Sequence, residues 1–167
     1  MGGSGSGWRW QDRKSTVEES LVVPMKDLRK RLYAGAAGTF TWTWGSGSES
    51  SIGYFVTGSG DALTVTLHYR WRDTEDVSIP VRLTTTPTQF GGQRWWFVCP
   101  LIVRGIPCGR RAGKLYSPPG EKYFGCRKCY DLTYRSSQEA HQAERVFGWL
   151  GFDAEVARMW ERRHRNK

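Results

Sequence analysis

Four cysteines constrain this chain most: eight residues lie between Cys99 and Cys108, two between Cys126 and Cys129, and 17 between the pairs. Thiolates in two closely spaced pairs suit the tetrahedral shell of a d¹⁰ ion, and an all-thiolate shell with no open position is structural rather than catalytic. The pattern therefore predicts one structural Zn²⁺ held by Cys99, Cys108, Cys126 and Cys129. Turn-forming neighbours support this: Pro100 follows Cys99, Gly109 follows Cys108 and Gly125 precedes Cys126, where a backbone must curl around an ion. Between these two knuckles, residues 110–116 are expected as one strand, Ser117-Pro118-Pro119-Gly120-Glu121 as a turn, and residues 122–125 as the return, the layout of a zinc ribbon. The first pair is wider than the usual two-residue gap, with residues 101–107 as an inserted loop. A pair of disulfides would need an oxidising compartment, and a redox Cys-x-x-Cys would want a βαβ context that this β-rich chain does not offer.

At 167 residues the chain can bury one ordinary core with a smaller metal-held module beside it. It has no run of 18 apolar residues and no signal-type apolar stretch behind a basic start, so no membrane partner is expected. A reducing cytoplasm also suits the cysteines. The formal charge of +9 is uneven. Residues 91–135 hold nine Lys or Arg against Glu121 and Asp131, whereas residues 46–90 hold three against five acids. Both ends are basic as well, at +3 for residues 1–45 and +3 for residues 155–167. Four thiolates and one Zn²⁺ would add −2 to the ribbon and leave it basic. Positive charge thus belongs to the ribbon and the ends, while the middle reads as scaffold.

That middle has the period of a β-meander. Phe40, Trp42 and Trp44 alternate with threonines, and Leu63, Val65, Leu67, Tyr69 and Trp71 alternate with polar residues, so one face is buried and one wet. Trp42, Val65, Leu67 and Ile79 are expected in the core. Residues 52–57 and 77–83 add strands around a Gly58-Ser59-Gly60-Asp61 turn, with Pro80 pushing its strand toward an edge, and residues 94–98 lead into the first knuckle. Trp95 and Trp96 point to opposite sides, one to the core and one to the ribbon. Asp73, Glu75 and Asp76 read as a hairpin turn. Residues 24–33 look like a short helix with Pro24 in its first turn and Met25, Leu28 and Leu32 on one side. Residues 138–150 carry Ala140, Ala143, Phe147 and Leu150 at helical spacing, and Asp153 is positioned to cap a second helix. The expected fold is α+β: an antiparallel β-meander continuous with a four-cysteine zinc ribbon, a short N-terminal helix and a C-terminal helical hairpin. The organisation expected is a flexible basic and aromatic arm (1–14), helix plus meander (15–93), zinc ribbon (94–136) and basic C-terminal helices (137–167).

Long stretches resemble a group of uncharacterised bacterial and phage zinc-ribbon proteins. The resemblance is carried by Met1-Gly2 with Gly5-Ser6-Gly7, Lys14 with Val17-Glu18, Gly38-Thr39 with Trp42, and the run from Gly91-Gly92-Gln93-Arg94-Trp95-Trp96-Phe97 to Cys99-Pro100. It continues through Cys108-Gly109-Arg110-Arg111, Lys114-Leu115-Tyr116, Tyr123-Phe124-Gly125-Cys126 and Cys129-Tyr130-Asp131-Leu132-Thr133-Tyr134-Arg135-Ser136. It covers roughly residues 1–140 and implies a small accessory protein of a mobile element or bacterial host, but no activity. It also favours a native origin for the Gly-Ser start, which would otherwise read as a flexible linker scar.

Cations beside aromatics suit a phosphate backbone with exposed bases. On that ground the candidate nucleic-acid contacts are Arg9, Arg13 and Lys14 in the arm, Arg110, Arg111, Lys114 and Tyr116 in the ribbon, Arg127 and Lys128 in the second knuckle, and Arg158, Arg162 and Arg165 on the last helix. The period-two rule puts Arg110, Lys114 and Tyr116 on one face. Plainer alternatives are a disordered tail, a solvated basic hairpin whose Tyr116 only covers the core, and a merely wet helix face. Enzymatic activity is not expected: His68, His141 and His164 lie in no ligand or triad spacing, and no Gly-rich phosphate loop precedes a helix, so no small-molecule substrate is implied. The favoured reading is a non-enzymatic accessory protein that binds DNA or RNA. The alternative is a protein-docking subunit, inhibitor or adaptor of a larger nucleoprotein complex.

Overall fold

The computed structural model describes residues 14–45 and 47–139, which are mostly β. The chain begins with a short strand β1 (Leu21–Pro24), a single helical turn α1 (Met25–Leu28) and a 3₁₀ turn over Arg29–Arg31. The five strands of the meander follow: β2 (Ala37–Thr43), β3 (Glu49–Ser59), β4 (Ala62–Trp71), β5 (Glu75–Thr88) and β6 (Gly92–Val98). Four short strands complete it: β7 (Ile102–Val103), β8 (Ile106–Pro107), β9 (Arg111–Ala112) and β10 (Lys114–Ser117). The main sheet is antiparallel in the order β2-β3-β4-β5-β6-β9, β1 pairs with β10, and β7 with β8.

The alternation of the sequence becomes the register of the sheet. Val56 faces Val65, Val65 faces Val81, Leu67 faces Ile79 and Leu83 faces Phe97, so one apolar face is continuous across four strands. Val65, Leu67 and Ile79 are buried as expected, but Trp42 is only half-buried, because it lies toward the open end of outermost β2, opposite Ser50. Its indole Nε1 donates to the Val22 carbonyl at 3.2 Å, which fastens β1 to that side of the sheet. Pro80 is not on an edge strand of the sheet order, since β5 lies between β4 and β6. Residues 75–82 pair with β4, however, and only residues 83–88 pair with β6, so the missing N–H of Pro80 removes no bond to β6. Of the acidic cluster only Asp73 lies in the turn, where Arg72 and Asp73 both have positive φ (52° and 56°) as a tight hairpin connection requires, whereas Glu75 and Asp76 open β5 opposite Trp71 and Arg70. At the β3–β4 connection Gly58 has φ 101°, and a Cβ there would stand 2.1 Å from the Ala62 carbonyl oxygen, so only glycine fits.

Three other expectations change. The helix over 24–33 shrinks to α1 and its 3₁₀ extension, because Leu21, Val22 and Val23 take Pro24 into β1 ahead of it; Met25 and Leu28 are buried as anticipated. The strand over 110–116 divides at Gly113: β9 continues the main sheet, whereas β10 leaves it to pair with β1. The inserted loop over 101–107 is the β7–β8 hairpin, turned by Arg104 and Gly105 at φ 51° and 79°. The tryptophan pair behaves as expected. Trp95 packs against the core, and Trp96, on the opposite side, hydrogen-bonds Thr86 and lies beside Gly113. Helical backbone begins at residues 135–139, and the expected C-terminal hairpin otherwise lies outside the described residues.

One core joins the meander to the cysteine-bearing segment. Leu115 and Phe124 are buried in the same cluster as Val23, Leu28, Val56, Val65, Leu67, Val81 and Phe97. The Phe124 ring stacks near Trp42 (6.4 Å) and meets Tyr69 edge-on (5.6 Å), while the Tyr69 hydroxyl donates to the Lys122 carbonyl and Lys122 pairs with Glu75 at 2.5 Å.

Candidate metal centre and basic basin

The cysteines converge because three local devices close on one point. The β7–β8 hairpin folds back so that Cys108 N donates to the Leu101 carbonyl at 2.8 Å, which brings Cys108 beside Cys99. The tight second knuckle sets Cys129 N on the Cys126 carbonyl at 3.0 Å. Gly125 lets them meet: a Cβ there would fall 2.1 Å from Leu101 Cδ1, so the root of the hairpin rests where any other residue would carry a side chain. The wide first spacing thus makes a hairpin-closed knuckle.

All four sulfurs lie within 4.8 Å of one another. Cys99–Cys129 and Cys108–Cys126 are 3.8 Å apart and Cys126–Cys129 3.5 Å. A tetrahedral thiolate shell with bonds of about 2.3 Å has edges of about 3.8 Å, whereas a disulfide needs about 2.05 Å. The four residues are free thiols and fit a metal ion. The backbone is arranged for thiolates: Cys126 N donates to Cys99 Sγ at 3.2 Å. Burial pushes the Cys99 thiol up to about 11 against amides that lower it, and burial raises Cys129 further. Burial also acts upward on Cys108, but the Arg110 amide and neighbouring sulfurs outweigh it and leave that thiol lowered. A bound cation would overcome such desolvation by deprotonating the set.

Beside the cysteines lies a concavity of about 500 Å³. Arg110, Arg111, Lys114, Tyr116, Arg127 and Lys128, all six ribbon candidates, line it together with Tyr134, and Cys126 contributes to its floor. Its five cations are exposed, and no carboxylate is among the lining residues. The ion pairs Lys14–Asp131, Arg70–Asp76 and Lys122–Glu75 lie elsewhere.

Two candidates are set apart from the rest. Tyr116 lines the basin but is only 6% exposed, and its backbone is bridged to Gly125. Lys14 stands apart from the basin, paired with Asp131 at 2.5 Å, and the segment after it bridges Thr16 to Thr133. Arg9, Arg13, Arg158, Arg162 and Arg165 lie outside the described residues. Sequence reasoning missed Tyr134, which is 43% exposed with the Arg127 guanidinium 5.0 Å over its ring. Its place five residues after Cys129 was a usable signal, because a tight knuckle turns the chain back on itself. Among the described residues no helix is long and apolar enough to cross a membrane. Comparisons with family models, curated proteins and solved structures found no match.

Proposed function

We propose that the protein is a non-enzymatic nucleic-acid-binding accessory protein, whose cysteine module is a zinc ribbon and whose basin grips the phosphate backbone of DNA or RNA. The observation that carries this is the basin: five cations from two chain segments converge without a carboxylate to neutralise them. Such a cluster repels itself unless anions fill it, and a polyphosphate chain releases counterions as it does so. Zinc is the ion that best fits four thiolates with near-tetrahedral edges, and with no open position it would close the module rather than activate water. The ion would be held by Cys99, Cys108, Cys126 and Cys129, and Cys126 on the basin floor would tie the cationic walls to it. A cytoplasmic setting and the kinship to phage and bacterial zinc-ribbon proteins belong to the same proposal.

The test is a simultaneous charge reversal of Arg110, Lys114 and Lys128 to Glu. None is a ligand, so the variant should keep its metal and its melting temperature while losing most affinity for DNA and RNA. Full affinity in a folded variant would contradict the proposal. A protein-docking role is the second reading, favoured by one observation: Ile102 (66% exposed), Ile106 (70%) and Phe90 (98%) stand out at hairpin tips. It predicts a nuclease-resistant protein complex that survives the charge reversal.

A further inference from the structure

We infer that the basin takes a single strand rather than a duplex, with Arg127 and Tyr134 forming the platform on which an unstacked base lies. The inference rests on the phosphate-binding reading and deepens it. The Arg127 guanidinium lies 5.0 Å over the Tyr134 ring, and both line the basin. Planar guanidinium and aromatic surfaces are the ones on which splayed bases stack. Tyr116, the other aromatic lining the basin, is only 6% exposed, whereas Tyr134 is 43% exposed and offers the accessible ring there.

The shape points the same way. A duplex presents a convex backbone with its bases stacked inside, and it can lay phosphates across the rim but cannot insert a base. A concavity of about 500 Å³ accepts a nucleoside with its phosphate. The cations belong to two sides of that space: Arg111 and Lys114 come from β9 and β10, while Arg127 and Lys128 come from the second knuckle. A strand crossing between them would meet positive charge before and after the stacked base. No Asn, Gln, Asp or Glu lines the basin to accept from a base edge, so any base preference there would rest on Arg or Lys donors toward guanine.

The recognised chemistry is a phosphorylated nucleotide, and the experiment separates a strand from a free nucleotide. Fluorescence anisotropy on the full metal-loaded chain compares a 12-nucleotide single strand, a duplex of equal length and competing mononucleotide. Arg127→Lys keeps the charge but removes the plane; Tyr134→Ala removes the backing ring; Tyr134→Phe keeps it. Single strand should bind more tightly than duplex, and Arg127→Lys and Tyr134→Ala should each weaken the single strand roughly tenfold while changing duplex affinity by less than about twofold. Tyr134→Phe should behave as the parent, and mononucleotide should displace the strand only in large excess. Duplex binding as tight as single strand, or equal losses for both in Arg127→Lys, would overturn the inference and leave backbone binding standing. Displacement by mononucleotide at comparable concentration would reassign the site to a free nucleotide. Absence of binding to any nucleic acid would overturn both readings.

Discussion

The meander and the cysteine module solve the same problem by different means. The meander has strands of 7 to 14 residues whose side chains alternate over most of their length, so each added strand extends both the backbone ladder and the apolar face. The module has strands of two to four residues and cannot bury much by itself. It is closed instead by four converging sulfurs and by two rows of contact with the sheet: Phe124 against Trp42 and Tyr69, and β9 against β6. Charge follows this division. The self-supporting half is slightly acidic, and the half held from outside carries the concentrated positive charge that would oppose its compaction. Where local ladders are weakest, cross-links and borrowed surface carry more of the stability.

Removing the ion should break this comparison hardest. Chelation, or Cys126→Ser, should abolish amide protection over residues 99–133, since structural zinc contributes on the order of 10 kcal/mol in small modules. Because Phe124 and Leu115 belong to the common core, the meander should survive with a lowered melting temperature. Unchanged hydrogen exchange in the module after chelation would contradict this. Next in size, Phe124→Ala should cost about 3–5 kcal/mol and Leu67→Ala about 2–5 kcal/mol by denaturant unfolding. The first should lower metal retention too, whereas the second should not. A double-mutant cycle between Trp42 and Phe124 should show coupling of about 0.5–1.5 kcal/mol, the direct measure of how far the sheet supports the module.

Smaller again is a pH effect at the same junction. Burial, with Tyr123 nearby, raises the Tyr69 phenol well above its usual range. A raised folded pKa means that the native state holds the proton more tightly, so stability is full below the unfolded tyrosine pKa of about 10 and declines as pH rises above it. Tyr69→Phe should flatten that alkaline decline in chemical unfolding followed from pH 8 to 11. At the bottom of the scale, Ile106→Ser at the exposed hairpin tip should change stability by less than about 0.5 kcal/mol.

The meander was legible because period-two patterning reports directly on burial: Val65, Leu67 and Ile79 needed no knowledge of their neighbours. The cysteine set was legible because few chemistries use four thiolates at such spacing. What escaped depends on long-range pairing. Pro24 resembles a helix start and Leu21 to Val23 carry no strand signal of their own, so only the partner β10, some ninety residues later, reveals Leu21–Pro24 as a strand. Tyr116 obeys the period-two rule in sharing the basin with Lys114, yet that rule does not report how little of its ring is exposed. The β7–β8 hairpin did leave a local trace, Arg104-Gly105 between two apolar pairs, which is the signature of a two-residue turn. The convergence of Arg110, Arg111, Lys114, Arg127 and Lys128 could be suspected from charge density, but their common concavity follows from the knuckles folding toward each other.

If this convergence holds phosphates, binding must weaken steeply as salt rises. Affinity of the metal-loaded chain for a single-stranded oligonucleotide, measured from low to physiological salt, should fall linearly on logarithmic axes with a slope of roughly −2 to −3.5, as expected when three to five phosphates are neutralised. In the Arg110, Lys114 and Lys128 reversal the residual slope should approach zero. A slope near zero in the parent chain, or one that the reversal leaves unchanged, would show that the basin does not hold phosphates.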